Sequence, residues 1–194
     1  MFVDIRYVKR VLMAFDLDGS RLESPALPKS FFWKEWNPSL VSEHARVVFE
    51  AFSVDVDARV FPTYRQLAAC EHLVDATSSA SSFAPEATWA ICARGFPTPD
   101  KDECGAECCA AVQCLWKRES IGEIKNVSVR PSARRRGLGK ALVLKALESF
   151  ERIGAKRIVL EVTAENVGAL LMYSSIGFRP LRYFYAESFV ERSR

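Results

Sequence analysis

The chain has 194 residues, 49% of them hydrophobic and 26% charged, with a formal net charge of +3. This length predicts one domain spanning residues 1–194, and the hydrophobic share is ordinary for a globular protein. The small net charge gives no support for nucleic-acid binding, and no hydrophobic run reaches the length of a membrane span. Charged residues interrupt the N-terminal hydrophobic stretch, so no signal peptide is visible. We therefore expect a cytoplasmic protein with six reduced cysteines.

The first part of the chain predicts strands and helices without a motif that identifies a function. Alternating β-branched and aromatic residues predict a strand over residues 4–16. The aromatic cluster at residues 31–36 is expected to pack beneath a loop. A first helix is predicted over residues 38–52, because Pro at the first turn follows an Asn cap. After a connector over residues 54–62, a capping box predicts a second helix over residues 63–76.

Two further strands are predicted over residues 87–93 and 107–117. Their connection, residues 94–105, contains Gly, Pro and acidic residues and is expected to be a mobile loop. Cysteines stand at positions 104, 108, 109 and 114. They lack the paired CxxC spacing of a zinc site, so no metal site is predicted. The tail over residues 181–190 is apolar and aromatic enough for one or two strands.

The most informative stretch runs from Ile121 to Phe178. An apolar strand over Ile121–Val129 ends at Pro131, and a helical pattern follows that ends near Gly154. The short segment between strand and helix is basic and rich in glycine. It reads Arg134-Arg135-Arg136-Gly137-Leu138-Gly139-Lys140.

This basic loop has the physical properties of an anion site. The first amides of a helix have no intrahelical partner, and the helix dipole adds partial positive charge there. Gly137 and Gly139 let the backbone approach a ligand closely. A pyrophosphate fits these properties, and a plain turn with a solvated basic surface is the alternative.

Two common phosphate-loop patterns do not fit. The P-loop needs Gly at position 134 and Ser or Thr at position 141, where this chain has Arg134 and Ala141. The dinucleotide fingerprint needs a small residue at position 142, where this chain has Leu142. The pattern that remains is Arg134-x-x-Gly137-x-Gly139.

That pattern resembles the acyl-CoA loop of the GNAT superfamily of N-acyltransferases. The strand that ends in Val127-x-Val129-x-Pro131 resembles the central strand of that family. Downstream residues resemble the strand and helix that follow the loop, in the same order and spacing: Leu160-Glu161-Val162, Asn166, Ala169, Tyr173 and Gly177-Phe178. The resemblance covers residues 121–180, about a third of the chain.

The resemblance implies a fold of the α/β (α+β) class. In this GNAT fold a twisted, mixed and mostly antiparallel sheet of six to seven strands carries helices on both faces. The resemblance also implies acetyl-CoA as co-substrate, with its phosphates at the loop. The implied contacts are Arg134, Arg135, Arg136, Gly137, Leu138, Gly139 and Lys140. The pantetheine arm would lie against the backbone of Val127 and Val129, and Asn166 would cap a helix beside the cleft.

The alternation of the strand over residues 121–129 slips, because Val127 and Val129 share a face while Ile124 is out of phase. A β-bulge near Lys125-Asn126 would explain this slip and would separate the strand from its neighbour.

Transfer of an acyl group to an amine needs a base, donors for the oxyanion and a proton for the departing thiolate. Asn166, Ala169 and Tyr173 lie on one helical face, and the resemblance implies that Tyr173 meets the thioester sulfur. Glu161, twelve residues before Tyr173, resembles the glutamate implicated in deprotonation in GNAT enzymes that acetylate protein N-termini. Glu123 on the preceding strand is the competing candidate.

Three functions follow from these patterns. The first is an acetyl-CoA-dependent N-acetyltransferase acting on a peptide N-terminus, a lysine or a small amine. The second is a catalytically idle acyl-CoA-binding module or sensor. The third, a nucleic-acid-binding domain, would need further basic surface, which the sequence does not indicate. We expect a monomer or homodimer without nucleic-acid or membrane partners.

Overall fold

The computed structural model describes residues 3–94 and 107–191. These residues form the strands β1 (Val3–Asp16), β2 (Phe31–Glu35), β3 (Trp89–Ala93), β4 (Glu107–Arg118), β5 (Ile121–Val129), β6 (Arg157–Thr163) and β7 (Arg179–Glu191). The α-helices are α1 (Val41–Phe52), α2 (Val56–Val60), α3 (Leu67–Ser78), α4 (Leu138–Arg152) and α5 (Val167–Ile176). The predicted loop over residues 94–105 lies outside the described residues apart from Arg94.

The described strands form one sheet in the order β2-β3-β4-β5-β6-β1-β7. Neighbouring strands are antiparallel, with the exception of β5 and β6, which run parallel. This mixed, mostly antiparallel sheet of seven strands agrees with the predicted fold class. No helix in the described ranges is long and apolar enough to cross a membrane.

Helices cover both faces of the sheet. On one face, α4 buries Leu142, Leu147 and Phe150 in the larger core. On the other face, Val48 of α1 and Val74 of α3 are fully buried in a smaller core. Successive side chains of a strand point to opposite faces of the sheet, and on each face they meet apolar side chains from the helices.

Three local predictions for the first part of the chain are wrong. The aromatic cluster does not pack beneath a loop, because Phe31–Glu35 pairs with β3 as an edge strand. The predicted capping box forms a short 3-10 turn over Pro62–Arg65, and α3 begins only at Leu67 because Gln66 is extended. The predicted connector contains α2, which begins because the Asp55 side chain accepts a hydrogen bond from the amide of Val56.

The long strand β1 lies inside the sheet and not at its edge. It pairs with β6 on one side and with β7 on the other. This register places Arg10 directly opposite Thr163. Residues that are far apart in sequence therefore meet beside the end of β6.

His44 of α1 is completely buried, and neither of its ring nitrogens has a hydrogen-bond partner among the described residues. Its ring packs edge-on against Trp36, with 4.8 Å between the ring centroids. Burial lowers the pKa of His44 to about 4, because a charged imidazolium would lose its hydration there.

His44 should make the stability of the fold depend on pH. The unfolded chain binds a proton at His44 near pH 6.5, whereas the folded chain binds it only near pH 4. The contribution of His44 to the free energy of unfolding is therefore fully present above pH 6.5. It is lost as the pH falls, by up to about 3 kcal/mol at pH 4. Urea unfolding at several pH values should show a shallower pH dependence for His44→Leu than for the parent chain.

The other histidine of the chain, His72, is exposed and provides the matched control. His72→Gln should keep the parent's pH dependence between pH 4 and 6.5. Equal pH dependence in His44→Leu and the parent would show that His44 is not buried in its neutral form.

Candidate active site

The sheet opens between its two parallel strands. β5 and β6 pair only from Ile121 to Ile124 on β5 and from Arg157 to Leu160 on β6. Beyond these residues β5 continues to Val129 without a ladder partner on its β6 side. The separation that the slipped alternation predicts is therefore present, and it leaves backbone amides and carbonyls open to a ligand.

A bulge in β5 produces this opening. Gln113 of β4 pairs with Lys125, and Ala111 pairs with Ser128, so β5 carries one extra residue between these pairs. Asn126 adopts φ +49° there, in the left-handed region that Asn tolerates better than most residues. The side-chain amide nitrogen of Asn126 donates a hydrogen bond to the side-chain oxygen of the buried Gln113 at 3.0 Å. The bulge is thereby fixed to the core.

A cavity of about 430 Å³ occupies the opening. β5 contributes residues 124–127, and β6 contributes residues 160–163. The remaining lining comes from several elements: Arg10, Phe52, Asp57, Phe61, Tyr64, Leu73, Thr77, Asn166, Ala169, Tyr173 and Ala186. Both Glu161 and Tyr173 thus line one cavity, together with Val127 and Asn166.

The basic loop leads from the end of β5 into α4. Gly137 caps α4 with φ +79°, a conformation that favours glycine. The first helical hydrogen bond runs from the amide of Ala141 to the carbonyl of Gly137. The amides of Leu138, Gly139 and Lys140 precede this bond and have no intrahelical partner, so they can receive an anion.

The loop cations have different surroundings. Arg134 turns towards the end of α1, where it donates to the carbonyl of Ala51 at 2.6 Å and lies 3.5 Å from Asp55. Lys140 lies 2.7 Å from Glu23, and the Arg136 guanidinium lies 5.8 Å from the ring centre of Phe31. Arg135 is exposed and, within residues 3–94 and 107–191, has no ion-pair partner.

Gly139 has a packing role beside its place in the loop. A Cβ at this position would lie 3.2 Å from the sulfur of Met172 on α5 and 3.7 Å from a methyl group of Val129. The absence of a side chain therefore lets the start of α4 pack closely against α5 and the end of β5. The Val129 carbonyl itself accepts a hydrogen bond from Arg134 at 3.2 Å.

Tyr173 is buried on α5, next to Phe178. Burial raises its pKa, the nearby Asp57 carboxylate raises it further, and Arg10 partly opposes this. The phenol therefore stays protonated at neutral pH. Its hydroxyl has no hydrogen-bond partner among the described residues, so it is available to donate a proton to a bound group.

The two candidate bases differ in position. Glu161 lines the cavity, keeps 29% of its side-chain exposure and lies 3.9 Å from Arg10. Glu123 is buried, does not line the cavity and lies 3.2 Å from Lys117 and 3.3 Å from Lys125. The structure therefore brings Glu161 together with Tyr173 and places Glu123 outside this group.

A buried polar cluster supports the inner wall of the cavity. Arg10 donates to the hydroxyl of Thr163 at 3.0 Å and lies 3.8 Å from Asp57. Asp57 accepts hydrogen bonds from Thr163 and, at 3.4 Å, from the side-chain amide of Asn166. The oxygen of Asn166 in turn accepts the amide of Ala169 at 3.2 Å, which confirms the predicted helix cap.

Arg10, Asp57 and Tyr64 are among the cavity-lining residues that the sequence did not identify. In the sequence, Arg10 is only a charged residue within a hydrophobic strand, and Asp57 lies in a segment predicted to be a connector. Neither feature indicates a place in a site. Tyr64 was part of the supposed capping box; its hydroxyl lies 3.5 Å from the side-chain oxygen of Asn126 at the bulge. Burial raises the pKa of Tyr64 to about 12.

Curated relatives match a short part of this chain. A mycothiol acetyltransferase of Renibacterium salmoninarum is 40% identical over 60 residues, which are 31% of this chain and 18% of that protein. A [ribosomal protein bS18]-alanine N-acetyltransferase of Escherichia coli is 40% identical over 53 residues, which are 27% of this chain and 36% of that protein. The chain thus matches about a third or less of the length of these two relatives.

Solved structures share the fold over most of the chain. A GCN5-related N-acetyltransferase from Sphaerobacter thermophilus superposes with a TM-score of 0.65 at 20% identity, covering 96% of this chain and 52% of that chain. The ribosomal-protein-S18-alanine N-acetyltransferase from Escherichia coli superposes with a TM-score of 0.57 at 14% identity, covering 84% of this chain and 96% of that chain.

The family model described as Acetyltransferase (GNAT) family matches residues 61–178. This match spans more than half of the chain and includes the bulged strand β5, the basic loop, Glu161 and Tyr173. The chain therefore belongs to the GNAT acetyltransferase family.

Proposed function

We propose that this protein is an N-acetyltransferase that moves the acetyl group of acetyl-CoA directly to a primary amine. The observation that carries the proposal is the cavity in the β5–β6 opening, which is lined by both Glu161 and Tyr173. A carboxylate and a protonated phenol are the two proton carriers that this reaction needs.

The basic loop and the opening suit the two ends of acetyl-CoA. The amides of Leu138, Gly139 and Lys140 would receive the pyrophosphate, with Arg135 and Arg136 adding charge at the exposed rim. Arg134 would reach the phosphates only if it left its contacts with Ala51 and Asp55. The pantetheine arm would follow the unpaired edge of β5 past Val129 and Val127 and bring the thioester to the cavity.

Direct attack by the amine is favoured by the composition of the cavity. Among its described lining residues there is no cysteine and no serine that could carry an acyl group. The one threonine close to the carboxylates, Thr163, is held by Arg10 and Asp57. The acceptor amine would then lose its proton to Glu161, and its nitrogen would attack the thioester carbon.

The remaining charges of the reaction also have candidate partners. Backbone amides at the bulge, next to Val127, would donate to the oxyanion of the tetrahedral intermediate. As the C–S bond breaks, the Tyr173 hydroxyl would donate to the departing thiolate. Asp57 would be a positioning residue in this scheme, because its carboxylate accepts hydrogen bonds from Thr163 and Asn166 and lies 3.8 Å from Arg10.

The acceptor is proposed only as a class, namely a peptide N-terminus, a lysine side chain or a small amine. Relatives of this chain include a mycothiol acetyltransferase and a ribosomal protein alanine N-acetyltransferase, so different acceptors occur among similar proteins. The idle acyl-CoA sensor is the alternative. It is disfavoured by the presence of both proton carriers in one cavity.

Replacement of Glu161 should separate the two candidate bases. Glu161→Gln should lower turnover roughly 10²- to 10⁴-fold, because the amine loses its proton acceptor, while acetyl-CoA affinity stays nearly unchanged. The loss should be greatest at low pH, where the acceptor is most fully protonated. Steady-state kinetics across pH, with calorimetry for acetyl-CoA, would measure both quantities.

Glu123→Gln is the matched control, because it removes a carboxylate of the neighbouring strand that lies outside the cavity. It should keep turnover within about threefold of the parent. If Glu123→Gln lost activity and Glu161→Gln kept it, the proposed base would be wrong.

Replacement of Tyr173 should separate an enzyme from a sensor. Tyr173→Phe keeps the ring and its contact with Phe178 but removes the proton donor, so turnover should fall roughly ten- to a thousandfold. Acetyl-CoA affinity should stay within a few-fold of the parent. The assay would detect thiol release with a panel of peptides, polyamines and small amines.

Robust turnover in the panel that is unchanged by Tyr173→Phe would reduce the tyrosine to a packing residue. Tight acetyl-CoA binding without turnover on any acceptor would favour the sensor.

A further inference from the structure

A second group of reactive side chains lies outside the cavity, where β3 and β4 pair. Cys92 of β3 and Cys108 of β4 stand directly opposite each other in the antiparallel register. Their sulfur atoms are 2.9 Å apart, and the two residues are 0% and 3% exposed. Cross-strand neighbours of this kind can be joined by a disulfide with little movement of the backbone.

A bulge selects which cysteine of β4 faces Cys92. Ile91 pairs with Ala110 and Cys92 pairs with Cys108, so Cys109 is the extra residue. Cys108 and Cys92 share a small apolar cluster with Val47 of α1. Cys109 belongs to the larger core on the other face, and its thiol donates to the carbonyl of Glu107 at 3.3 Å. Two consecutive cysteines therefore have different partners.

Charged groups adjoin the thiol pair. The Cys108 sulfur lies 2.9 Å from an oxygen of Glu43, and this oxygen also accepts a hydrogen bond from Lys34 at 3.1 Å. The hydrogen bond with Cys92, burial and the neighbouring Glu43 all raise the pKa of Cys108, so this sulfur stays a thiol at rest. A hydrogen bond from Cys108 lowers the pKa of Cys92, burial opposes this, and the positive charge of Lys34 supports it. These surroundings favour the thiolate at Cys92 alone, and the thiolate is the reactive form of cysteine.

We propose that Cys92 and Cys108 form a reversible redox dithiol, which a small hydroperoxide converts into a cross-strand disulfide. This inference does not depend on the proposed acetyltransferase function, because neither sulfur lines the cavity between β5 and β6. It adds a modification site between β3 and β4, outside the cavity.

The reaction balances as two consecutive displacements. The Cys92 sulfur attacks one oxygen of the hydroperoxide, the O–O bond breaks, and the leaving oxygen takes a proton to give an alcohol or water. The Cys108 sulfur then attacks the sulfur of the Cys92 sulfenic acid and the S–O bond breaks. Glu43 passes the Cys108 proton to the departing hydroxide, which leaves as water. The sum is two thiols and one hydroperoxide giving one disulfide, one alcohol or water, and one water. A dithiol reductant reverses the change by exchange.

The disulfide should stabilise this side of the sheet. It would join residues sixteen positions apart and close the connection between β3 and β4. Closing a loop of this size restricts the unfolded chain and should raise Tm by roughly 5–10 °C. A dithiol reductant should return Tm to its starting value.

The test uses the full reduced chain, hydrogen peroxide as oxidant and a maleimide to block the remaining thiols. Intact mass should show the loss of two hydrogens, and digestion without reductant should give one linked peptide pair containing Cys92 and Cys108. Cys109→Ser, the matched control, should form the same link. Cys92→Ala and Cys108→Ala should not form it and should show no rise in Tm.

The peptide map of the wild-type chain tests for the Cys92–Cys108 link even if a variant fails to fold. A link that uses another cysteine would overturn the proposal. It would also be overturned by sulfinic or sulfonic acid at Cys92 without a link, or by unreacted thiols at both Cys92 and Cys108 after treatment with excess hydrogen peroxide.

Discussion

The separation of β5 from β6 after Ile124 is the constraint on which the site depends. A parallel pair that stayed closed would use every backbone group of β5 in ladders and would leave no room for a ligand. One extra residue at Asn126 prevents this, and the bond from Asn126 to the buried Gln113 fixes the irregular geometry to the core. The same irregularity creates the cavity and frees the amides along its edge. It also directs β5 towards the loop that begins α4.

The charge arrangement behind the cavity depends on contacts between distant parts of the chain. β1 lies beside β6, so Arg10 reaches Thr163, Asp57 and Glu161 together. Buried charges are tolerated when each has partners, and here the single guanidinium serves two carboxylates. Removing Arg10 would leave Asp57 buried without its cation. For this reason Asp57 and Arg10 act as one unit that orients Asn166 and the start of α5.

Local features of the site could be predicted from sequence, whereas its long-range partners could not. The slip in alternation at Asn126, the glycine loop before α4 and the cap at Asn166 each depend on a few neighbouring residues, and all three are present in the structure. Arg10 and Asp57 come from elements whose place in the sheet is set by tertiary pairing. The role of Tyr64 was missed because no capping box forms here: Gln66 is extended and makes no side-chain cap hydrogen bond. Tyr64 lies instead in the short 3-10 turn before Gln66 and lines the cavity.

The most direct test of the account is amide hydrogen exchange with and without acetyl-CoA. We expect slower exchange in residues 125–129 of β5 and in residues 137–140 at the start of α4, because the pantetheine arm and the pyrophosphate would occupy these two segments. The β3–β4 pair should be unaffected. Protection confined to other surfaces, or no protection at saturating acetyl-CoA, would contradict the assignment of the β5–β6 opening as the acyl-CoA site.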